Sequence, residues 1–158
     1  MDTVYSGKNH GKAALLVLTE RRTTDQLTFL LPDRTAKSVK SCLDRLERSL
    51  GARGFRNKFK TITCDNGVEF VSQQIEKSAI NKNIPRTSVY FCHPYCSCER
   101  GMNESQNRFY RRFVSSGGNL ADLTADQWQE VNDWINNYPR RKYGGMSVNE
   151  YKKSMGIA

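Results

Sequence analysis

A chain of 158 residues, 37% hydrophobic and 26% charged, has the size and make-up of one soluble domain with a real core. Its 25 Lys and Arg outweigh 16 Asp and Glu, giving +9 at neutral pH and a pI near 9.5; this favours a polyanionic partner, nucleic acid ahead of an acidic membrane, because phosphate neutralisation releases condensed counterions. No stretch approaches the roughly 20 apolar residues of a membrane span, the first residues carry no signal-peptide apolar region, and an odd number of cysteines argues for free thiols rather than a disulfide framework.

In chain order, Asp2 precedes a first strand pattern, and residues 12–20 form a continuous apolar run of strand length. Residues 21–25 are a polar turn and residues 26–31 return as another strand, so the two read as a hairpin. Pro32 and Asp33 break the pattern. Apolar Ala36, Val39, Cys42, Leu43, Leu46 and Leu50 then recur at intervals of three and four, a helix face that Gly51 and Gly54 are expected to close. Residues 59–64 are a short strand ending at Asp65, and Asn66-Gly67 turns the chain into a helix expected over 70–80. Residues 87–91 form another strand, a loop with Pro, Cys and Gly covers 92–101, and a helix is expected over 102–114. After a Gly/Ser linker at 115–119, Thr124 with Gln127 makes a capping box for a helix over 124–136, and a last short helix starts at Ser147. Strands alternating with helices predict a single α/β domain, a mixed sheet flanked by helices, with functional residues at the carboxyl ends of strands.

Three acids sit on separate elements: Asp2 ahead of the first strand, Asp65 at a strand end, and Glu104 near the start of a helix. A phosphodiester has an anionic centre and a poor leaving group, and two divalent ions about 3.5–4 Å apart activate the attacking oxygen and stabilise the departing one. Magnesium takes a few carboxylates and leaves its other positions to water and phosphate. Two plainer readings stand beside this one: Asp65 as an Asx turn or helix cap, and Glu104 as a solvated acid paired with Arg108 one turn on. Arg100, Asn107, Arg108 and Arg111 share the face of Glu104 by helical spacing, a basic polar stripe suited to DNA phosphate. Glu69 and Glu99 are rival third acids. Glu69 lies on the turn of Asp65 and leaves the far side of a metal pair uncovered, which favours Glu104.

The words Cys64-Asp65-Asn66-Gly67-Val68-Glu69-Phe70, His93-Pro94-Tyr95, Glu99-Arg100-Gly101-Met102-Asn103-Glu104, Asn107, Arg111-Arg112-Phe113 and Asp133-Trp134-Ile135-Asn136-Asn137 occur in order. Together they resemble the bacterial insertion-sequence transposases of the IS-thirty family, and Asp2-Thr3-Val4 followed by Gly11-Lys12-Ala13 looks like that family's opening catalytic strand. The resemblance covers nearly the whole chain. It implies a ribonuclease H-like core similar to retroviral integrases, with an Asp-Asp-Glu triad at Asp2, Asp65 and Glu104 holding two Mg²⁺ or Mn²⁺ ions. It also implies DNA cleavage and strand transfer, element ends and target DNA as partners, a homo-oligomer in the full-length protein, and a cytoplasmic, nucleoid-associated location.

Departures from the family pattern are Cys96 and Cys98 in place of Ser and Trp, and Ser116-Gly117-Gly118 in place of Pro-Lys-Gly. The family's amino-terminal helix-turn-helix region is absent, so the chain reads as a catalytic core. Two rivals are an inactive DNA-binding remnant and a ribonuclease H-like nuclease acting on RNA–DNA hybrids.

Cys92, His93, Cys96 and Cys98 fall within seven residues, but their spacing is poor for tetrahedral zinc, and ordinary loop thiols are expected. His93 reads as a loop residue that helps position the site. Trp128, Trp134, Tyr138 and Tyr151 read as packing residues, Tyr95 or Tyr143 as candidates for base stacking, and Arg140-Arg141-Lys142 as a solvated run or a phosphate contact.

Overall fold

The computed structural model describes residues 1–5, 11–93, 101–113 and 119–157, with only the backbone for 101–105. Its strands are β1 (Asp2–Tyr5), β2 (Ala14–Thr19), β3 (Gln26–Leu31), β4 (Thr61–Cys64) and β5 (Ser88–Phe91). Its helices are α1 (Ala36–Lys58), α2 (Ser72–Glu76), α3 (Gly101–Arg111), α4 (Ala125–Asn137) and α5 (Val148–Ser154).

A strand that is apolar at successive positions must be covered on both faces. The run at Ala14 to Leu18 accordingly forms the middle strand of an antiparallel sheet ordered β1-β2-β3. Asp2 pairs with Val17 and Tyr5 with Ala14 on one side of β2; Ala14 pairs with Leu31 and Thr19 with Gln26 on the other. Successive side chains alternate between faces. Ala14, Leu16 and Leu18 pack with Val39, Leu43 and Phe55 of α1. Leu15 and Val17, with Val4, pack with Tyr110 of α3 and with Trp128, Val131 and Ile135 of α4. Each fully buried leucine contributes about 1.5–3 kcal/mol, and the two faces place α1 on one side of the sheet and α3 with α4 on the other.

The second sheet pairs β4 parallel with β5, Thr61 opposite Ser88 and Cys64 opposite Phe91. One mixed sheet was the expectation; the described strands form two, within the same α/β class. They meet where the Met1 nitrogen donates to the Thr63 carbonyl at 2.7 Å. A cavity of about 640 Å³, bordered by Leu18, Thr19, Thr61 and Thr63, separates the strands beyond that contact.

The helix expected over 102–114 ends at Arg111, and two others differ more from their expected bounds. The first is capped by Thr35, whose hydroxyl accepts from the Ser38 amide. Gly51 does leave the helix, at φ 73°, a conformation glycine adopts without strain. The chain then resumes helix to Lys58, because Phe55 is drawn fully into the core and packs against Phe59 at 4.8 Å between rings. The helix expected over 70–80 shrinks to α2. Beyond it the buried Glu47 carboxylate accepts from the Ser78 hydroxyl and, at 2.8 Å, from the Ala79 amide, which pulls the segment off a helical path. The capping boxes of α4 (Thr124 with Gln127) and α5 (Ser147 with Glu150) form as the sequence predicts. No described helix is long and apolar enough to cross a membrane.

Arg86 holds the irregular segment after α2 to α1. It is 1% exposed. Its Nη1 meets Asp44 at 2.7 Å and Glu47 at 3.4 Å, its Nε donates to the Ile75 carbonyl at 2.6 Å, and its Nη2 donates to the Gln74 carbonyl at 3.0 Å. Removing one partner of such a buried set leaves uncompensated charge, worth about 3–5 kcal/mol. Arg86→Ala is therefore expected to lower the unfolding free energy by about that much in urea titration, and Arg86→Lys to recover little, since one ammonium cannot serve four acceptors. A midpoint unchanged in Arg86→Ala would show that the network contributes nothing net.

Candidate active site

Asp2 opens β1 on the side of the sheet that α3 covers, and it is 9% exposed. Its Oδ1 accepts from the Thr3 amide and its Oδ2 from the Asn107 amide group, both at 2.8 Å. Asn107 lies three residues after Glu104 on α3, hence on the same helix face. The Asp2–Asn107 bond therefore brings the first turns of α3, with the backbone of Glu104, to the front of β1. The side chain of Glu104 and all of Arg100 lie outside the described residues. Asn107, expected at a DNA surface, is buried, and its Oδ1 has no hydrogen-bond partner among the described residues. Arg108 and Arg111 are exposed.

Asp65 follows β4 and is half-buried; its Oδ1 accepts from the Gly67 amide at 3.0 Å, an Asx turn. The turn leaves this carboxylate at the end of β4, next to the start of β1, because the Met1–Thr63 contact joins those ends. Gly67 is required by close approach. A Cβ there would lie 2.7 Å from Glu69 Oε2 and 2.9 Å from Asp65 Oδ1.

Glu69, a rival third acid on sequence, serves another purpose in the fold. It is buried, its Oε1 accepts from the Thr3 hydroxyl at 2.6 Å, and Arg34 approaches the same oxygen at 3.5 Å while covering the Tyr5 ring. Thr3 points to the opposite face from Asp2. Glu69 thus bolts the turn of Asp65 to the strand of Asp2 from the α1 side of the sheet. Its Oε2 is buried without a hydrogen-bond partner among the described residues. Nothing in the sequence marked Thr3 for this part, since a threonine in a strand is ordinary.

A second set of buried polar groups fixes α3 from behind. Gln106 Oε1 accepts from Arg140 Nη1 and from Gln26 Nε2, each at 2.6 Å, and Arg140 also donates to the Ile135 carbonyl. Of the basic run read as solvated or phosphate-binding, Arg140 is buried in this clamp, while Arg141 and Lys142 are exposed. Tyr143, a candidate for base stacking, is buried and stacked on Tyr151 at 4.2 Å; Tyr95, the other candidate, lies outside the described residues.

The donor chemistry near Asp65 is oxygen. Burial pushes the Cys64 thiol up to about 12, so it stays neutral and is not the thiolate that soft metals need. Cys96 and Cys98 lie outside the described residues. Among the described residues, no group of three His, Cys, Asp or Glu side chains stands together as a metal cage.

The Thr3–Glu69 bond can be removed without changing shape. Thr3→Val leaves a buried carboxylate with fewer donors, a loss of about 1–3 kcal/mol, read as a lower thermal midpoint. The same variant is expected to speed hydrogen exchange at the amides of residues 65–70, since their tie to β1 is gone. Unchanged exchange there would mean that Arg34 alone holds the turn.

No protein-family model matches the chain. It is similar to the transposase for insertion sequence element IS4351 of Bacteroides fragilis, 33% identical over 155 residues, covering 98% of this chain and 44% of that protein. It is also similar to a probable transposase for the insertion-like sequence element IS1161 of Streptococcus salivarius, 33% identical over 94% of this chain and 39% of the relative. A third relative is the transposase for insertion sequence element IS1086 of Cupriavidus metallidurans, 29% identical over 82% of this chain and 36% of its own length. The chain thus spans less than half the length of the curated relatives it matches, and along nearly all of its own length it is similar to insertion-sequence transposases.

Proposed function

We propose that the chain is the catalytic core of an Asp-Asp-Glu DNA transposase of the IS-thirty family, with a ribonuclease H-like arrangement in which Asp2, Asp65 and Glu104 act together. The observation that carries the reading is the Asp2–Asn107 hydrogen bond, because it draws the helix of Glu104 toward two strand-end acids already joined by the Met1–Thr63 contact. Similarity to named transposases along 98% of the chain supports the reaction class.

The residues fit hard divalent cations, since Asp2 and Asp65 offer carboxylate oxygens while the Cys64 thiol is buried in the core against the Tyr90 carbonyl. Asp2, Asp65 and Glu104 would hold two Mg²⁺ or Mn²⁺ ions, which supply the positive charge that activates a hydroxyl oxygen and relieves charge on the phosphodiester. Asn107 keeps the Asp2 carboxylate turned toward α3, and the Gly67 amide sets the Asp65 carboxylate at the strand end. Cys64 and Phe70, both buried, keep water from the back of that turn. Arg100, Arg108 and Arg111 hold DNA by its phosphates, which positions the backbone without reading bases. Water cleaves the phosphodiester at an element end, and the freed 3′-hydroxyl then attacks a phosphodiester of target DNA. DNA is the partner on this reading, with the full-length protein a homo-oligomer at the bacterial nucleoid.

An oligonucleotide carrying an element end, with Mg²⁺ or Mn²⁺, tests it. Asp65→Asn and Glu104→Gln are each expected to lower metal-dependent nicking by about a hundredfold or more while the thermal midpoint holds, and Asp2→Asn to lower it as far with a reduced midpoint, since its amide nitrogen would face the Asn107 donor. Replacing Arg108 and Arg111 together by Ala is expected to flatten the salt dependence of log K by about 2, equally for unrelated sequences. Metal-independent binding without any nicking would replace the reading with the inactive remnant, and cleavage confined to RNA–DNA hybrids would replace it with the nuclease.

A further inference from the structure

Trp134 and Tyr138 were expected to be packing residues, yet they are 44% and 38% exposed, and Phe113 is 36% exposed. The three form a continuous run of rings with Phe109: Phe109 meets Tyr138 at 5.6 Å, Tyr138 meets Trp134 at 5.0 Å, and Trp134 meets Phe113 at 5.1 Å. As the chain advances from Phe109 in α3 to Phe113 just beyond it, the partners run back from Tyr138, which caps α4, to Trp134 within it, so the two segments run antiparallel across the patch. Phe109, the ring of this set that lies within α3, is five residues beyond Glu104, about 140° round the helix from it. The patch therefore faces away from the candidate active site.

The ends of this apolar patch carry opposite charge. At the Phe109–Tyr138 end, the Arg112 guanidinium lies 5.2 Å over the Phe109 ring. At the other end, exposed Glu130 stands one helical turn before Trp134 on α4. An apolar centre with a cation at one end and an anion at the other is complementary to itself under a two-fold axis perpendicular to the patch. A nucleic acid would meet Glu130 as a like charge, which disfavours that occupant.

We infer that this face of α3 and α4 is an isologous docking surface for a second copy of the chain. Trp134, Tyr138 and Phe113 of each copy stack at the centre, and Arg112 of each meets Glu130 of the other. Aromatic anchors with an arginine at the rim are the composition that concentrates binding energy in interfaces. The patch is small, so the dimer is weak and salt-sensitive. The surface is independent of the proposed catalytic chemistry and would stand if that reading failed.

Sedimentation of the 158-residue chain between about 1 μM and 1 mM tests it. The expected result is a concentration-dependent dimer that Trp134→Ala abolishes. Arg112→Glu and Glu130→Arg are each expected to weaken it about tenfold, and the two together to restore it to within about threefold, because the swapped charges pair again. Circular dichroism melts confirm that every variant is folded. A monomer throughout the range overturns the inference, and so does a dimer that survives Trp134→Ala. Single charge reversals without effect, or a double variant that fails to recover, overturn it as well. So does single-stranded DNA that quenches Trp134 in the monomer, which would make the patch a base-stacking platform.

Discussion

The constraint from which the rest follows is the two-sided burial of β2. Leu16 and Leu18 need cover on one face of the sheet, Leu15 and Val17 on the other, and no surface position serves a strand apolar at every step. Helix α1 answers one face; α3 and α4 answer the other. Once α3 is pressed onto that face by Tyr110, its first turns have to lie near the open end of β1, which is where Asp2 begins. Apolar packing alone thus brings a helix to an acid. It does so with the tolerance of apolar packing, which accepts shifts of an ångström or more at modest expense.

Finer placement comes from buried polar bonds, whose geometry is narrow. Two of them grip α3 on neighbouring residues: Gln106 reaches Arg140 and Gln26 on the side of α4, and Asn107 reaches Asp2 on the side of β1. Because 106 and 107 point about 100° apart on the helix, the pair fixes rotation about its axis as well as position. Glu69 does the corresponding work on the other face, tying the turn of Asp65 to Thr3. Asp2 is therefore held by the buried Asn107, and the turn of Asp65 by the buried Glu69, an arrangement in which preorganisation is supplied by residues that need not touch a substrate.

What the sequence made legible was local, and what it hid was long-range. The apolar run of β2, the capping pairs Thr124–Gln127 and Ser147–Glu150, and the Asn66-Gly67 turn after Asp65 all depend on residues within a few positions of one another, and all are found as expected. The shortening of α2 depends on Glu47, about thirty residues upstream, and no window along 70–80 contains that information. Arg140 sits in a run that looks solvated, and only the partner Gln106 explains its burial. Glu69 was visible as an acid near Asp65, but its use was set by Thr3, which faces it from another strand. Trp134 and Tyr138 fit a helical packing stripe by spacing, yet the buried stripe of α4 is Trp128, Val131 and Ile135, and the two aromatics fall beside it.

The same distinction changes what the net charge means. A surplus of 25 basic over 16 acidic residues suggests a uniformly attractive surface for a polyanion. Two of those cations are not available to it: Arg86 is consumed by Asp44 and Glu47 inside the fold, and Arg140 by Gln106. What remains exposed is unevenly distributed. Within α3, Arg108 and Arg111 fall on the face of Glu104 by helical spacing, whereas Arg112, in the turn that follows the helix, lies over the Phe109 ring. The helix and the turn after it therefore present cations to two different surroundings, exposed Arg108 and Arg111 on the face of Glu104 and Arg112 against an aromatic ring. A single basic stretch, Arg108 to Arg112, can in this way belong to two surfaces at once: the helical period sets Arg108 and Arg111 on one face, and the end of α3 at Arg111 turns Arg112 to the other.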